Sequence, residues 1–375
     1  MKRRKRTSSG RDLVVYCEDN GFIWHPGTKG FGGSEEAVIN LTRELTKLGW
    51  QTTVYNNCGH KSVTDAGVTY RPWRDFNPRD KQDIVIVWRW MRAVDWNINA
   101  ERIFVDAHDI MDDRILINQS RIKKITRIVF KSQFHRSLCP NLPDQKTAII
   151  PNGLDFALLD GDGPRDPCLL INTSSADRSM SVLPKLFLEV KQRVPHARLQ
   201  WAYGWDLFKL YNAHDRAKLE WMNQVQEEMY DAGIETLGHL TQAEVAKLYR
   251  QAAILAYPTD FPEIDCISVR KAQACGCVPV TSDFGALAES VQFGVKVPVP
   301  KENIWKQGDR FQFGIGDIAS QKLWIDATVH LLSSPTERNE LASKGASWSR
   351  QFGWPQIAAR WDKILRDNDH SRAEL

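Results

Sequence analysis

Residues 253–281 read AILAYPTDFPEIDCISVRKAQACGCVPVT and join two apolar runs through one loop and one helix. The runs Ala253–Tyr257 and Val278–Thr281 have the length of buried strands, and a helix over Cys266–Ala274 separates them. A strand, a helix and a second strand in succession predict a parallel βαβ unit. In such a unit the carboxyl end of the first strand carries the loop, so Pro258–Cys266 is the first place to look for chemistry.

The same alternation of strand-like and helix-like segments covers most of the chain. One series runs from Leu13 to Ile150, and a second begins at Cys168. The turns between them, marked by Gly and Pro, are typical of a domain boundary. We therefore predict an α/β protein with two Rossmann-like, doubly wound domains whose strand ends face a cleft. The predicted segments are a basic tail (1–12), an N-terminal domain (13–155), a C-terminal domain (156–350) and a C-terminal helix (351–375) that packs back on the first domain.

The composition is that of a folded globular protein, and its charge does not indicate a basic body that binds nucleic acid. The 375 residues are 42% hydrophobic and 26% charged, which is ordinary for a globular protein of about two domains. The net charge is +4, and the run Lys2–Arg6 alone supplies five positive charges. The rest of the chain is therefore close to neutral. A solvated tail and a weak electrostatic contact of residues 2–6 with a membrane or nucleic acid both stay open.

The cysteine pattern and the hydropathy of the chain indicate the cellular compartment in which we expect the protein. The chain has seven cysteines, no CxxC pair and no Cys/His spacing typical of zinc sites, so we predict free thiols and no metal site. No apolar run reaches the roughly 20 residues that span a bilayer. We expect a cytoplasmic protein, with peripheral contact at a membrane left open. The oligomeric state is not indicated.

Two loops of the first domain carry candidate residues. Gly30-Phe31-Gly32-Gly33-Ser34 leads into a helix predicted over Glu35–Leu48, with Ser34 as its N-cap. Glycines at a helix N-terminus suit a diphosphate or a sugar, although a plain tight turn explains them as well. Asp106-Ala107-His108-Asp109 follows a predicted strand, so His108 is either a ligand contact or a buried structural histidine.

Two loops of the second domain carry the others. Ser174-Ser175-Ala176-Asp177-Arg178 offers a guanidinium that could clamp a diphosphate, the alternative being a surface arginine. In the Pro258–Cys266 loop, Glu263 precedes a helix N-terminus, where its carboxylate could accept hydrogen bonds from sugar hydroxyls or merely stabilise the helix dipole. The backbone N–H groups that could face a phosphate are those of Ile264, Asp265 and Cys266.

These stretches resemble the retaining glycosyltransferases of family 4 ("glycosyl transferases group 1"), which have the GT-B fold. The strongest part is YPTDFPEIDCISVRKAQACGCVPVT over 257–281, and FGGSEEAVINLTREL, VDAHD, IIPNGLD and LGHLTQAEVAKLYRQA support it. The resemblance implies that Gly33, His108 and Glu263 line the donor site and that Arg178 contacts the donor diphosphate. It also implies an acceptor on the first domain and no metal. The full set of donor-site residues on this basis is Gly32, Gly33, Ser34, Ser174, Arg178, Ile264, Asp265, Cys266 and Lys271, with His108 and Glu263 as the catalytic pair.

Two positions depart from the family pattern. The second glutamate of its E-x7-E motif would fall at position 271, which here is Lys271. An ammonium donates hydrogen bonds but accepts none, so the nucleotide is held differently or more weakly. Ser179 stands where a glycine usually follows the basic residue.

The leading interpretation is transfer of a sugar from a nucleotide-sugar, such as a UDP- or GDP-sugar, to a hydroxyl acceptor with retention and without a cofactor. The alternatives are a transferase acting on a hydroxylated nucleic-acid base and a degenerate, non-catalytic protein that binds a sugar nucleotide or glycan. A GT-B epimerase fits the spacing around Glu263 less well. For the acceptor, which could be a glycan or a lipid-linked glycan, the cluster of Trp88, Trp90 and Arg92 offers aromatic faces and charge, although core packing explains most tryptophans.

Overall fold

The computed structural model describes residues 11–28, 32–300 and 311–367. The predicted tail contact of residues 2–6 lies outside them, as does part of the glycine loop. The chain divides into two compact units, one formed by residues 1–153 and 352–375 and the other by residues 154–351. The prediction had placed this boundary after residue 155.

The first unit holds a sheet in which eight described strands are arranged in the order β3-β4-β2-β1-β5-β6-β7-β8. All pairings are parallel except that of β3 with β4. The chain winds outward from β1 in both directions, which makes the sheet doubly wound. The strands are β1 (Asp12–Tyr16), β2 (Gln51–Asn56), β3 (Val63–Asp65), β4 (Val68–Pro72), β5 (Gln82–Trp88), β6 (Ala100–Asp106), β7 (Arg127–Phe130) and β8 (Thr147–Ile149).

The second unit holds a parallel sheet whose six described strands follow the order β11-β10-β9-β12-β13-β14. This sheet also winds outward in both directions, here from β9. Its strands are β9 (Asp166–Asn172), β10 (Arg198–Trp201), β11 (Ile234–Thr236), β12 (Ala252–Tyr257), β13 (Val278–Ser282) and β14 (Val295–Val297). β12 is buried along its whole length, as the continuous apolar run predicts.

Helices connect the strands in both units. The helix over Gln242–Gln251 opens with a capping box, in which Thr241 and Glu244 cap each other's backbone N–H. The helices of the first unit are α1 (Gly33–Lys47), α2 (Gln119–Lys124), α3 (Gln133–Ser137) and α13 (Trp354–Arg366). Those of the second unit are α4 (Phe156–Leu159), α5 (Leu183–Arg193), α6 (Asp206–Tyr211), α7 (Arg216–Ala232), α8 (Gln242–Gln251), α9 (Ile267–Ala274), α10 (Leu287–Ser290), α11 (Ile318–Ser333) and α12 (Pro335–Ser349).

Helix α13 packs against α1 within the first unit. The indole N–H of Trp50 donates to the Asp362 carboxylate over 2.7 Å, and Arg366 donates to the Leu48 carbonyl at the C-terminal end of α1. The buried face of α13 includes Trp354 and Trp361. At Gly153 an added Cβ would lie 2.4 Å from the Trp354 ring, so glycine is required for this contact.

One predicted detail of α1 is wrong. The helix begins at Gly33 rather than Glu35, and its N-cap is Gly32, which has an extended backbone and whose carbonyl accepts from the Glu36 N–H. Ser34 therefore lies in the first turn and is not the N-cap. Among the described residues, no helix is long and apolar enough to cross a membrane.

Candidate active site

The first candidate group lies where the second sheet changes its winding direction. β9 and β12 are neighbours in the sheet, but the chain continues from β9 towards β10 and from β12 towards β13. Ligands of open α/β sheets bind beside such a pair, at the carboxyl ends of the strands. The two loops that follow these strands hold Arg178 and Glu263.

The Glu263 carboxylate is held in place from two sides. The Tyr257 hydroxyl, at the end of β12, donates to Glu263 Oε1 over 2.5 Å. Behind it, Gly285 has a φ of +60°, and an added Cβ there would lie 3.0 Å from the Glu263 carbonyl oxygen. Burial raises the pKa of Glu263, while Arg178 and the Tyr257 hydroxyl oppose that rise. The result is a largely buried carboxyl group with a fixed orientation, 17% exposed.

Arg178 lies beside this carboxylate and on an aromatic surface. Its guanidinium carbon is 3.3 Å from the centre of the Phe261 ring and 5.9 Å from that of Phe313. Nη1 donates to Asp177 over 3.0 Å, and Nε is 4.0 Å from Glu263 Oε1. Burial disfavours the cation, but the carboxylates of Asp177 and Glu263 outweigh it and raise the Arg178 pKa. A permanent positive charge thus stands next to Glu263.

The start of α9 only partly matches its predicted role. Cys266 is the N-cap with a φ of +55°, and the backbone N–H groups of Ile264 and Cys266 make no hydrogen bond with any described residue. The Asp265 carboxylate is different: it is buried and accepts from Arg270 Nε over 2.7 Å. The Asp265 carboxylate therefore forms a buried ion pair with Arg270 of the helix that follows it.

Lys271 and Ser174 are both tied to neighbouring groups. Lys271 is buried, and its ammonium donates to Gln242 Oε1 of α8 over 2.7 Å. The Ser174 N–H donates to Asn172 Oδ1, and its carbonyl accepts from the Trp201 indole N–H. The structure gives a reason for serine instead of glycine at position 179, because the buried Ser179 hydroxyl accepts from Asn172 Nδ2 over 3.0 Å. The loop after β9 is thus braced by side-chain hydrogen bonds.

In the first unit, His108 belongs to a buried charged group at the ends of β6 and β7. His108 Nε2 lies 2.9 Å from Asp106 Oδ2, and the Lys131 ammonium pairs with the other oxygen. Burial would raise the Asp106 pKa, but Lys131 and His108 outweigh burial and lower it to about 2. Burial and Lys131 lower the His108 pKa. The ring is 2% exposed and packs near Trp88, so the structure places it in the interior, and its contact with a donor stays a prediction.

A second histidine of this group predicts a pH dependence of stability. The Lys131 N–H donates to His135 Nδ1, and His135 Nε2 lies 3.0 Å from the Asp109 carbonyl oxygen, an arrangement that requires a neutral ring. Burial lowers the His135 pKa to about 3 from 6.5. Below about pH 6.5 the unfolded chain binds a proton that the folded chain does not, so stability falls by up to ~1.4 kcal/mol per pH unit.

Urea unfolding at several pH values between about 7.5 and 5 checks this dependence. In His135→Gln, whose amide can keep both hydrogen bonds, we expect a flatter decline towards acid. Parallel profiles for the variant and the native chain would rule out His135 as the cause.

The N-terminus of α1 is less positive than the glycine loop suggests. Glu35 and Glu36 stand in the first turn and are buried. Asn20 Nδ2 donates to Glu35 Oε1 over 2.9 Å, and a Cβ at Gly32 would lie 3.0 Å from Glu35 Oε2. The Glu35 carboxylate already interacts with the positive end of the helix dipole next to Gly32. Gly33 and Ser34 lie in that same turn, and their contact with a donor stays a prediction.

No model of a known protein family matches the chain, and no curated protein sequence matches it. Solved structures do match it. Sucrose-phosphate synthase from Thermosynechococcus elongatus has a TM-score of 0.72 at 14% identity, over 95% of this chain and 98% of that one. HepE from Anabaena, in complex with UDP and glucose, has a TM-score of 0.67 at 12% identity, over 95% and 99%. The chain has the GT-B fold. AviGT4, a glycosyltransferase involved in avilamycin A biosynthesis, matches at 0.62 and 16% identity, over 95% and 97%.

The predicted GT-B fold is thus confirmed, while membership of family 4 stays a prediction. In the predicted acceptor cluster, Trp88 needs a correction, while the roles of Trp90 and Arg92 stay predictions. Trp88 is 1% exposed because it ends the central strand β5, so it presents no ring face to a ligand. Trp90 is half-buried, and the Arg92 guanidinium stacks 5.6 Å from its ring while pairing with Glu18 over 2.6 Å.

Several residues of this GT-B chain were missed by sequence reasoning. Tyr257, Phe261 and Phe313 surround the Arg178–Glu263 pair, and Lys131 neutralises Asp106. Phe313 had no sequence signal, since it reaches the site only through the fold, where its N–H donates to the Asp177 carbonyl over 2.6 Å. Tyr257 could have been found, because it ends the strand before the loop that carries Glu263. Among the described residues, no group of three or more His, Cys, Asp or Glu side chains could hold a metal ion.

Proposed function

We propose that this protein is a retaining glycosyltransferase that moves a sugar from a nucleoside diphosphate sugar to a hydroxyl acceptor. The observation that carries the proposal is the pairing of Arg178 with the Tyr257-bound carboxylate of Glu263 at the switch point of the second sheet. A guanidinium suits a diphosphate, and a fixed carboxylate suits vicinal sugar hydroxyls. A nucleoside diphosphate sugar contains both groups.

Each residue then has a chemical task. Arg178, with the backbone N–H groups of Ile264 and Cys266, stabilises the charge that develops on the leaving diphosphate. Glu263 accepts hydrogen bonds from the sugar and orients it. The bond between the anomeric carbon and the diphosphate oxygen breaks, and the acceptor oxygen bonds to that carbon from the same face. The acceptor's proton passes to a diphosphate oxygen, so no protein nucleophile, cofactor or metal is required.

The structural neighbours support the choice of donor. HepE is known in complexes with UDP and with UDP-glucose, and the catalytic domain of starch synthase IV from Arabidopsis thaliana is bound to ADP and acarbose. We therefore take a UDP-sugar as the first donor to test, before ADP-, GDP- and dTDP-sugars.

The second candidate is a non-catalytic protein that binds a sugar nucleotide or glycan. Lys271 favours it, because this buried ammonium is hydrogen-bonded to Gln242 and offers no carboxylate for hydroxyl groups. This candidate predicts donor binding without turnover.

Release of nucleoside diphosphate from the donor panel, with and without EDTA, tests the proposal. We expect release from one donor, unchanged by EDTA, and a product of unchanged anomeric configuration by proton NMR. Glu263→Gln should lose about 10²-fold or more in rate, because it removes the charge that orients the sugar.

The matched control is Glu220→Gln, an exposed glutamate of α7 that pairs with Arg216. It should keep the native rate. Donor binding without release from any sugar nucleotide would favour the non-catalytic protein, and equal rates in the two variants would contradict the assignment of Glu263.

A further inference from the structure

A concavity in the first unit has no part in the donor site described above. Its volume is about 410 Å³, and it lies at the carboxyl edge of the sheet. Asp19 follows β1, Asn57 and His60 follow β2, and Trp73 follows β4. Since β4, β2 and β1 are neighbours, the three loops converge beside the switch point between β1 and β5.

The concavity contains a fixed carboxylate with spare hydrogen-bonding capacity. Asp19 Oδ1 accepts from Asn57 Nδ2 and from the Gly21 N–H, each over 2.9 Å. Oδ2 of the same carboxylate makes no hydrogen bond with any described residue. The carboxylate is thus held in one orientation with an acceptor to spare.

Two further polar groups line the same space without partners among the residues that the structure describes. They are the indole N–H of Trp73 and the imidazole ring of His60. The half-buried Trp73 ring adds an aromatic wall, stacked at 4.9 Å by the Arg74 guanidinium, and Ile23 adds an exposed apolar side chain. An apolar wall beside a few converging donors and acceptors is the usual composition of a small-molecule site.

The charges of the concavity select among ligands. Asp19 and Asp75 contribute two carboxylates and Arg74 contributes a guanidinium, while the Arg71 guanidinium lies 3.7 Å from Asp75 and balances that carboxylate. The described lining therefore offers no excess of positive charge to the phosphates of a nucleic acid or an anionic lipid. A neutral polyhydroxyl compound needs no such excess, because its hydroxyls donate to carboxylates and its C–H faces pack on an indole ring.

We propose that this concavity binds a saccharide, and that the saccharide is the acceptor of the transfer. The acceptor role rests on the proposed function, whereas saccharide binding does not. Trp73 and Asp19 thus replace Trp88 as the predicted acceptor contacts.

Saturation-transfer NMR on the full chain tests the proposal without any donor. The probes are maltotriose, cellotriose and N,N′-diacetylchitobiose, with a single-stranded oligonucleotide as the competing class. We expect at least one saccharide to bind, and Asp19→Asn and Trp73→Leu each to weaken it about tenfold or more. Asp19→Asn keeps the contact with Asn57 and so leaves the fold intact.

The matched control is Trp96→Leu, another partly exposed tryptophan of the same unit, 43% exposed, which should leave binding unchanged. Absence of binding by every saccharide, equal binding in all variants, or binding of the oligonucleotide alone would overturn the proposal. Nucleoside diphosphate release in the absence of acceptor should be the same in Trp96→Leu as in the native chain. A failure of the proposed transferase function therefore shows in donor release, and a failure of this inference shows in saccharide binding.

Discussion

Replacing Arg178 by alanine is expected to lower kcat/KM for the sugar nucleotide by about 10²–10³-fold. The variant removes the charge beside Glu263 and the group stacked on Phe261. Arg178→Lys keeps the charge but not the planar, two-pronged donor, so we expect it to recover only part of the loss. Initial rates of nucleoside diphosphate release measure both.

The control for this experiment is Arg216→Ala in α7. Its side chain is 93% exposed and pairs with Glu220 on the same helix, so the rate should stay native. A full rate in Arg178→Ala would remove the diphosphate contact from the proposal. A rate lost equally in both variants would point to a general loss of folded protein.

Replacing Lys131 by methionine is expected to destabilise the first unit by about 3–5 kcal/mol. The side chains of Lys131 and Asp106 are only 3% and 5% exposed, so the variant leaves a buried carboxylate without its cation. Burial lowers the pKa of His108, which disfavours its protonation as a replacement for the missing charge. Urea unfolding, followed by tryptophan fluorescence, measures the change.

Adding Asp106→Asn to Lys131→Met should recover part of the lost stability, because the double variant has no unpaired buried charge. The control is Lys47→Met, in an exposed pair with Glu44 where the lysine is 68% exposed, and we expect a change of about 0.5 kcal/mol or less. Similar changes in Lys131→Met and Lys47→Met would contradict the role assigned to the buried pair.

Long, strongly patterned elements could be predicted from the sequence alone. The predicted strand Ala253–Tyr257 and the predicted helix Cys266–Ala274 each match the structure within one residue. The missed strands β3, β4 and β14 are short and lie at or near a sheet edge, where hydrophobic patterning is weak. The glycine at position 67 could have predicted the hairpin of β3 and β4. In the structure, Ala66 and Gly67 form its turn with φ of 46° and 82°.

The sequence predicts which loops form the candidate active site, but it does not predict the contacts between their side chains. Arg178 and Glu263 could be paired because the strands before them neighbour each other in a doubly wound sheet. The burial of Trp88 and the hydrogen bond of Lys271 with Gln242 depend on tertiary packing, which no local pattern contains. Alternation shows that the strand ending at Trp88 is buried, but it does not show which neighbouring loop lies open.

The return of helix α13 to the first unit has a consequence for synthesis on the ribosome. Residues 154–351 emerge as an uninterrupted segment and can fold as soon as they leave the exit tunnel. The amino-terminal unit emerges earlier, yet the surface around Trp50 and Gly153 stays uncovered until residues 354–366 are translated. Of the two units, the one whose synthesis begins first is therefore completed last, and a nascent chain stalled before residue 354 exposes an apolar surface to chaperones.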